Sequence, residues 1–253
     1  MISAKKIFTG IIPHGAVVWY RSLQRKKRLK NPERLKIVDY KDDLTQVIGE
    51  DWIADNYYIE AEQYVDQYWN PGTVFYKRFQ ELDCTSIVEL AVGHGRHVSQ
   101  YLDKAKNVTL VDINEKNIDF CMKRFANETK IKYVICSGRG FDGVDTASQT
   151  AVFTYDSMVH FEILDVAAYL KDANRILVKG GRILFHHSNA AFSPGVHYSE
   201  KPHWRNYMSA GVFAHLAMRM GFRVLSQDLI SWGEGDQNKD LDCLSLCEKV
   251  QDV

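Results

Sequence analysis

Asp156 and His160 are the side chains of this sequence best suited to acid–base chemistry. They follow residues 151–155, an apolar run that predicts a buried strand. Histidine exchanges a proton near neutral pH because its unperturbed pKa is about 6.5. His187 follows a later predicted strand and offers the same chemistry. We therefore expect the general base of an active site to be His160, with His187 and Asp156 as the other candidates.

A glycine-rich turn between a predicted strand and a predicted helix could hold a nucleotide-type cofactor. The strand Ile87–Ala91 leads directly into Gly93 and Gly95. Glycine lets a ligand approach the backbone closely, and a helix N-terminus offers unpaired N–H groups. The next predicted strand ends in Asp112, whose carboxylate can accept hydrogen bonds from ribose hydroxyls. Dinucleotide-binding folds usually have a third glycine where this chain has Val98.

With Glu89 four residues before Gly93, this pattern resembles the cofactor site of class I S-adenosylmethionine-dependent methyltransferases. The resemblance covers roughly residues 83–249 and includes the strings 155–162, 175–181 and 186–189. These strings are similar to a bacterial branch of the family associated with carbohydrate and surface-polysaccharide pathways.

The resemblance implies S-adenosylmethionine as cofactor, with the first acid helping to hold its methionine end and the second acid its ribose. Ser137 stands where the family often has an acid near the adenine, and Phe141 could pack on that ring. The cofactor contacts implied are Glu89, Ala91, Gly93, Gly95, Asp112, Ile113, Ser137, Gly138, Phe141 and Asp156.

Polar and aromatic side chains at and after the fifth predicted strand are candidates for binding the methyl acceptor. Neighbouring side chains of a strand point to opposite faces, so only one of His186 and His187 can face the cleft. The substrate-binding candidates are His186, Asn189, Tyr198, His203 and Trp204. The resemblance to a carbohydrate-associated branch implies that the acceptor is a hydroxyl of a sugar or glycan intermediate, and aromatic faces in this segment could stack on a sugar ring. We expect no metal site, since no third ligand has suitable spacing.

Two alternative functions remain open. One is a small-molecule O- or N-methyltransferase unrelated to glycans. The other is a methyltransferase-like module that binds a cofactor or partner without catalysis, against which the intact glycine turn and the polar strand ends argue.

The order of predicted elements indicates an α/β fold. Strands alternate with helices from residue 87 to residue 221, which predicts a doubly wound, mostly parallel, seven-stranded sheet of the Rossmann-like methyltransferase type. The last two predicted strands, 222–232 and 241–249, have no helix between them and predict a C-terminal antiparallel hairpin. This hairpin argues against a dinucleotide-dependent enzyme.

We divide the 253 residues into a basic N-terminal arm (1–32), a helical cap (33–82) and a cofactor-binding domain (83–253). The arm has eight Lys or Arg and no acid, whereas the whole chain has 32 basic and 32 acidic residues. Residues 5–30 could contact an anionic membrane surface or a lipid-linked glycan, or pack in a homo-oligomer. Nucleic acid is not an expected partner.

The cysteine pattern and the hydropathy of the chain indicate in which cellular compartment the protein is expected. The five cysteines lack paired spacing, and no run of 18 apolar residues occurs. We expect a reduced cytoplasmic protein, with a peripheral position at the inner membrane face as the alternative.

Overall fold

A computed structural model of the protein describes residues 45, 48–52, 57–192, 194–195, 204–232 and 235–253. The predicted basic arm lies outside the described residues, and so do the candidate substrate ligands Tyr198 and His203.

A seven-stranded sheet forms the centre of the protein, with the strand order β3-β2-β1-β4-β5-β7-β6. The first five strands are parallel to their neighbours, and β7 runs antiparallel between β5 and β6. This arrangement confirms the predicted doubly wound sheet with its C-terminal hairpin. The strands are β1 Ser86–Leu90, β2 Asn107–Asp112, β3 Ile131–Ile135, β4 Gln149–Thr154, β5 Leu177–Ser188, β6 Phe222–Ile230 and β7 Asp242–Lys249.

Short helices precede the sheet, and longer helices cover its faces. The helices are α1 Tyr57–Glu60, α2 Val65–Tyr68, α3 Val74–Phe79, α4 Val98–Tyr101, α5 Glu115–Arg124, α6 Ile163–Ile176 and α7 Ala210–Arg219. The hydroxyls of Thr73 and Ser209 cap α3 and α7 by accepting a hydrogen bond from a backbone N–H of the first turn. Residues 48–52 are also helical.

The sheet separates two hydrophobic cores because strand side chains alternate between its faces. In β1, Ile87 contributes to one core and Val88 to the other. The first core packs the aromatic side chains of α3 and α4 against the sheet, and the second packs α6 and α7. Both faces are therefore covered, as a parallel sheet requires.

Two elements differ from the sequence prediction. The Lys-Gly-Gly sequence of residues 179–181 is typical of the end of a helix, but these residues lie inside β5, where Gly180 has a φ of 80°. Leu177 pairs with Gln149, and the next paired residue is Arg182, so the residues between them form a bulge. The helix predicted for residues 96–104 is a single α-turn followed by a 3₁₀ turn at Leu102–Lys104.

The described residues contain no helix with the length and apolar composition needed to cross a bilayer.

Candidate active site

A cavity opens where the parallel strands end. Its floor comes from the strand ends and from residues that follow them: Leu90, Ala91, Asp112, Ile113, Cys136, Gly138 and Asp156. The segment before the sheet covers it with Thr45, Ile48, Gly49, Trp52, Tyr57 and Tyr58. Ligands of open α/β sheets bind at this edge, outside the carboxyl ends of the strands.

Asp112, at the end of β2, lies at one end of this cavity and is 4% exposed. Its Oδ2 accepts a hydrogen bond from the backbone N–H of Gly93 at 2.9 Å. Its Oδ1 accepts from the backbone of Asn114 at 2.9 Å and from the side-chain amide of Asn117 at 3.2 Å. Burial raises the pKa of Asp112, although these N–H donors favour the carboxylate.

Gly93 and Gly138 lie close to side chains of the segment that precedes the sheet and covers the cavity. A Cβ on Gly93 would lie 2.5 Å from a ring carbon of Tyr58, and a Cβ on Gly138 would lie 2.5 Å from a methyl of Thr45. Both glycines also have positive φ values, 55° and 88°. Glycine is therefore required at both positions by backbone conformation and by side chains of residues 45 and 58.

Gly95 has a packing role. A Cβ at this position would lie 2.7 Å from the ring of Phe125, just after α5. Gly95 is not among the described residues that line the cavity, so the structure does not support its prediction as a direct cofactor contact. Ala91 does line the cavity and adopts a φ of 57°, which is uncommon for a residue with a Cβ.

Glu89 lies below the glycine turn. It lines a smaller recess next to the main cavity, together with Gly93 and Arg96. Its carboxylate accepts a hydrogen bond of 2.7 Å from the hydroxyl of Tyr101. Burial raises the pKa of Glu89 to about 8, which outweighs the lowering effect of that hydrogen bond.

Asp156, directly after β4, lines both the cavity and the recess. Its carboxylate accepts hydrogen bonds from the hydroxyl of Tyr57 and, at 3.0 Å, from Arg96. Burial opposes its ionisation, but the charge of Arg96 and the hydrogen bond from Tyr57 favour the carboxylate, and the pKa of Asp156 lies below its usual value.

His160 lines the cavity from a 3₁₀ turn, Met158–His160. Its Nδ1 lies 3.0 Å from the carbonyl oxygen of Trp204, and its ring centre lies 4.8 Å from that of Trp52. A carbonyl oxygen only accepts, so Nδ1 carries a proton in this contact and the neutral ring has its lone pair on Nε2. The substrate candidate Trp204 thus positions His160 through its backbone.

His187 points away from this site. Its ring stacks on Phe213 of α7 at 3.9 Å, and its Nε2 lies 2.8 Å from the hydroxyl of Ser245. Burial lowers the pKa of His187 to about 3. This corrects the prediction of His187 as a candidate base, because strand alternation directs it into the core under α7.

Four further predicted contacts are placed elsewhere. Phe141 is fully buried against Tyr169, and Ser137 is exposed; neither is among the described residues that line the cavity. The side chain of Asn189 bonds the backbone of Asp240 and of Ala210. His186 is fully buried, so it does not reach a substrate directly.

Sequence reasoning missed Trp52, Tyr57 and Arg96. Arg96 directly follows Gly95, so its place beside the glycine turn was a usable signal. Trp52 and Tyr57 belong to the predicted helical cap, and only tertiary contacts bring their rings to the strand ends.

Among the described residues, no three His, Cys, Asp or Glu side chains are grouped so that they could hold a metal ion.

Comparison with known proteins shows what the region around this cavity is similar to. The family model of the methyltransferase domain matches residues 87–181, which run from β1 to the bulge of β5. The matched region includes the glycine turn, Asp112, Asp156 and His160. The chain thus contains a methyltransferase domain.

Solved structures with the same fold as this chain are distant in sequence. An S-adenosylmethionine-dependent methyltransferase from Mesorhizobium loti aligns with a TM-score of 0.57 and 14% identity, covering 70% of this chain and 99% of that one. Geranyl diphosphate C-methyltransferase from Streptomyces coelicolor A3(2), solved with Mg²⁺, geranyl diphosphate and S-adenosyl-L-homocysteine, aligns with a TM-score of 0.62 and 12% identity, covering 82% and 98%.

The same fold also occurs in a protein with another reaction. The [4+2]-cyclase SpnF aligns with this chain at a TM-score of 0.56 and 11% identity, covering 75% of this chain and 81% of that one. These likenesses therefore establish the fold, and the acceptor has to be argued from the site itself. No curated protein matches the sequence significantly.

Proposed function

We propose that the enzyme transfers a methyl group from S-adenosylmethionine to a hydroxyl oxygen of a sugar or glycan intermediate. One observation carries this proposal: an acid suited to ribose and a histidine suited to proton removal line opposite parts of one cavity, Asp112 after β2 and His160 after β4.

The residues of the cavity fit the cofactor. A carboxylate offers about four lone-pair sites, so the three N–H donors that Asp112 already binds leave capacity for a ligand hydroxyl. Ile113 and Gly138 line the wall beside it, and Glu89 lies in the adjoining recess. When bound, S-adenosylmethionine supplies an electrophilic methyl group on a sulfonium.

His160 is the proposed general base. Its Nδ1–H is held by the carbonyl of Trp204, so a neutral ring can accept a proton at Nε2. An acceptor hydroxyl would pass its proton to Nε2 as its oxygen becomes the nucleophile, leaving an imidazolium. Trp52 packs against the ring and limits its rotation.

The aromatic lining favours a sugar acceptor. Trp52 and Tyr57 line the cavity with ring centres 5.2 Å apart, close to both His160 and Asp156. Aromatic rings offer apolar faces on which a sugar ring can stack, while Glu162, also on the lining, can accept its hydroxyl donors. The similarity to a carbohydrate-associated branch supports the same acceptor class.

Incubation with radiolabelled methyl donor tests the proposal. The full chain is supplied with fractionated nucleotide sugars and cell-envelope extracts, and a panel of small aromatic and amine acceptors serves as comparison. We expect label on a sugar hydroxyl as an alkali-stable ether, and loss of that label with His160→Gln. Label only on the small acceptors would establish the non-glycan alternative instead.

A further inference from the structure

A buried histidine outside the cavity is connected to one of the site's carboxylates. His186 of β5 has no exposed surface, and its ring stacks on Tyr155 with a centre distance of 4.6 Å and an interplanar angle of 22°. It is not among the described residues that line the cavity. Its position on β5 places it beneath the end of β4, where Asp156 begins the loop.

The contacts of His186 determine which of its nitrogens carries the proton. The backbone N–H of Asp156 donates to Nδ1 at 3.0 Å, so Nδ1 must present a lone pair. A neutral ring then carries its proton on Nε2, which faces Oδ2 of Asp242 at 3.4 Å. The carboxylate of Asp242 can only accept a hydrogen bond, and it is fully buried. It therefore favours the tautomer of His186 that carries its proton on Nε2.

Asp242 is itself held by two other side chains. Arg205 donates to both of its oxygens, at 3.0 Å to Oδ1 and 2.8 Å to Oδ2, and the indole N–H of Trp232 donates to Oδ2 at 2.5 Å. Burial raises the pKa of Asp242, but its contacts with His186 and Arg205 outweigh burial and leave that pKa well below its usual range. The carboxylate of β7 is thus a fixed negative charge behind His186.

The residue that His186 binds has an unusual backbone. Asp156 adopts a φ of 61°, a conformation that costs an L-residue about 1 kcal/mol or more relative to ordinary regions. Such a conformation persists where surrounding contacts hold it. The hydrogen bond from its N–H to His186 is one such contact, and its side chain meanwhile reaches Tyr57 and Arg96 at the cavity.

We propose that His186, oriented by Asp242, is a positioning residue that fixes the backbone of Asp156 and thereby the placement of its carboxylate in the active site. The inference rests on the proposed function, because that function gives Asp156 a place beside donor and acceptor. It assigns to the C-terminal hairpin a role in the active site through Asp242. It also explains why a polar pair lies buried between β4 and β7.

Two substitutions separate positioning from simple packing. In His186→Asn, the side-chain oxygen can occupy the place of Nδ1 and still accept from the N–H of Asp156. In His186→Gln, the amide reaches the place of Nε2 and keeps the contact to Asp242, but the acceptor for Asp156 is lost. We expect H186Q to lower turnover at saturating substrates by about tenfold or more, and H186N to remain within about threefold of wild type.

Asp156→Asn is the reference variant, and thermal melting checks that every variant is folded. If D156N lowers turnover while H186Q does not, or if H186N and H186Q lose the same activity, positioning by His186 is overturned and the proposed function stands. If D156N itself has full turnover, the carboxylate of Asp156 takes no part in the reaction and the inference is overturned, while the proposed function, which uses Asp112 and His160, stands.

A measurement on the unmodified protein avoids any folding defect. Nitrogen-15 NMR of histidine-labelled full-length enzyme reports which ring nitrogen of His186 carries the proton, with H186N identifying the signal. We expect a neutral ring protonated at Nε2 at pH 7. A ring protonated at Nδ1, or at both nitrogens, cannot accept from Asp156 and overturns the inference.

Discussion

The two ends of the cavity use buried aspartates in opposite ways. At the β2 end, the hydrogen-bond donors that reach Asp112 from the described residues are backbone and amide N–H groups without formal charge. At the β4 end, Asp156 faces the guanidinium of Arg96 at 3.0 Å and the hydroxyl of Tyr57. The pKa of Asp112 is raised because burial prevails, whereas charge compensation keeps the pKa of Asp156 low.

This difference indicates how each end is used. Neutral donors orient the carboxylate of Asp112 without cancelling its charge, so that charge remains for a ligand. The charge of Asp156 is balanced inside the protein, and its neighbours fix its position. Variants at the β2 end should therefore change cofactor affinity, and variants at the β4 end should change turnover or stability.

The largest effect is expected at His160. Replacing it with Gln should lower turnover by about 10²–10⁴-fold, because the proton acceptor is lost, while affinity for S-adenosylhomocysteine stays nearly constant. Steady-state kinetics with the identified acceptor and calorimetry measure the two quantities. His215→Gln, an exposed histidine on α7, is the matched control and should behave like wild type. Equal turnover in H160Q and H215Q would remove His160 as the base.

Glu89→Gln should change how stability depends on pH. The folded-state pKa of about 8 lies above the value of an unfolded glutamate, so its contribution to stability is present at low pH. That contribution is lost as the pH rises from about 4.5 to 8, a total of about 3–6 kcal/mol at about 1.4 kcal/mol for each pKa unit. The free energy of unfolding of E89Q relative to wild type should thus increase between pH 5 and pH 8.5. Denaturant titrations that give parallel curves for the two proteins would contradict a raised pKa.

Asp112→Ala tests the β2 end directly. Loss of hydrogen bonds to a carboxylate should weaken binding of S-adenosylhomocysteine by about 1.5–3 kcal/mol. Asp119→Ala removes an exposed acid from α5 and should leave affinity unchanged. Calorimetry on both variants measures the difference, and equal affinities in folded D112A and D119A would show that Asp112 does not hold the cofactor.

Tyr57→Phe should have the smallest effect. It keeps the ring on the cavity and removes one hydrogen bond to the charged Asp156, which should cost about 1–2 kcal/mol of stability. Cofactor affinity should change less than in D112A. Tyr64→Phe, on an exposed tyrosine of the same segment, serves as control in urea unfolding. A Y57F protein as stable as Y64F would mean that Asp156 does not depend on this hydroxyl.

The sequence was sufficient where the signal was local. Apolar runs predicted the strands of the sheet, although β5 begins earlier, at Leu177, than the sequence indicated. The missing helix between β6 and β7 predicted the antiparallel hairpin. The end of a strand also marks the edge of the sheet, so Asp112, Asp156 and His160 could be placed at the cavity from the strand pattern alone.

The remaining features depend on tertiary contacts. His186 and His187 lie on opposite faces of β5 and therefore have different neighbours. Both faces of this central strand are buried. Hydropathy cannot distinguish two buried faces, so the choice between these histidines required the structure. Phe141 was expected near the adenine because of its place after β3, but the chain turns it into the core beneath α6.

Calorimetric titration of S-adenosylmethionine and of NAD into the wild-type chain tests the central claim most directly. We expect saturable binding of S-adenosylmethionine at one site and no heat of binding with NAD under the same conditions. Preferential binding of NAD, or no binding of S-adenosylmethionine to the folded protein, would contradict the assignment of the cavity at Asp112 and the glycine turn.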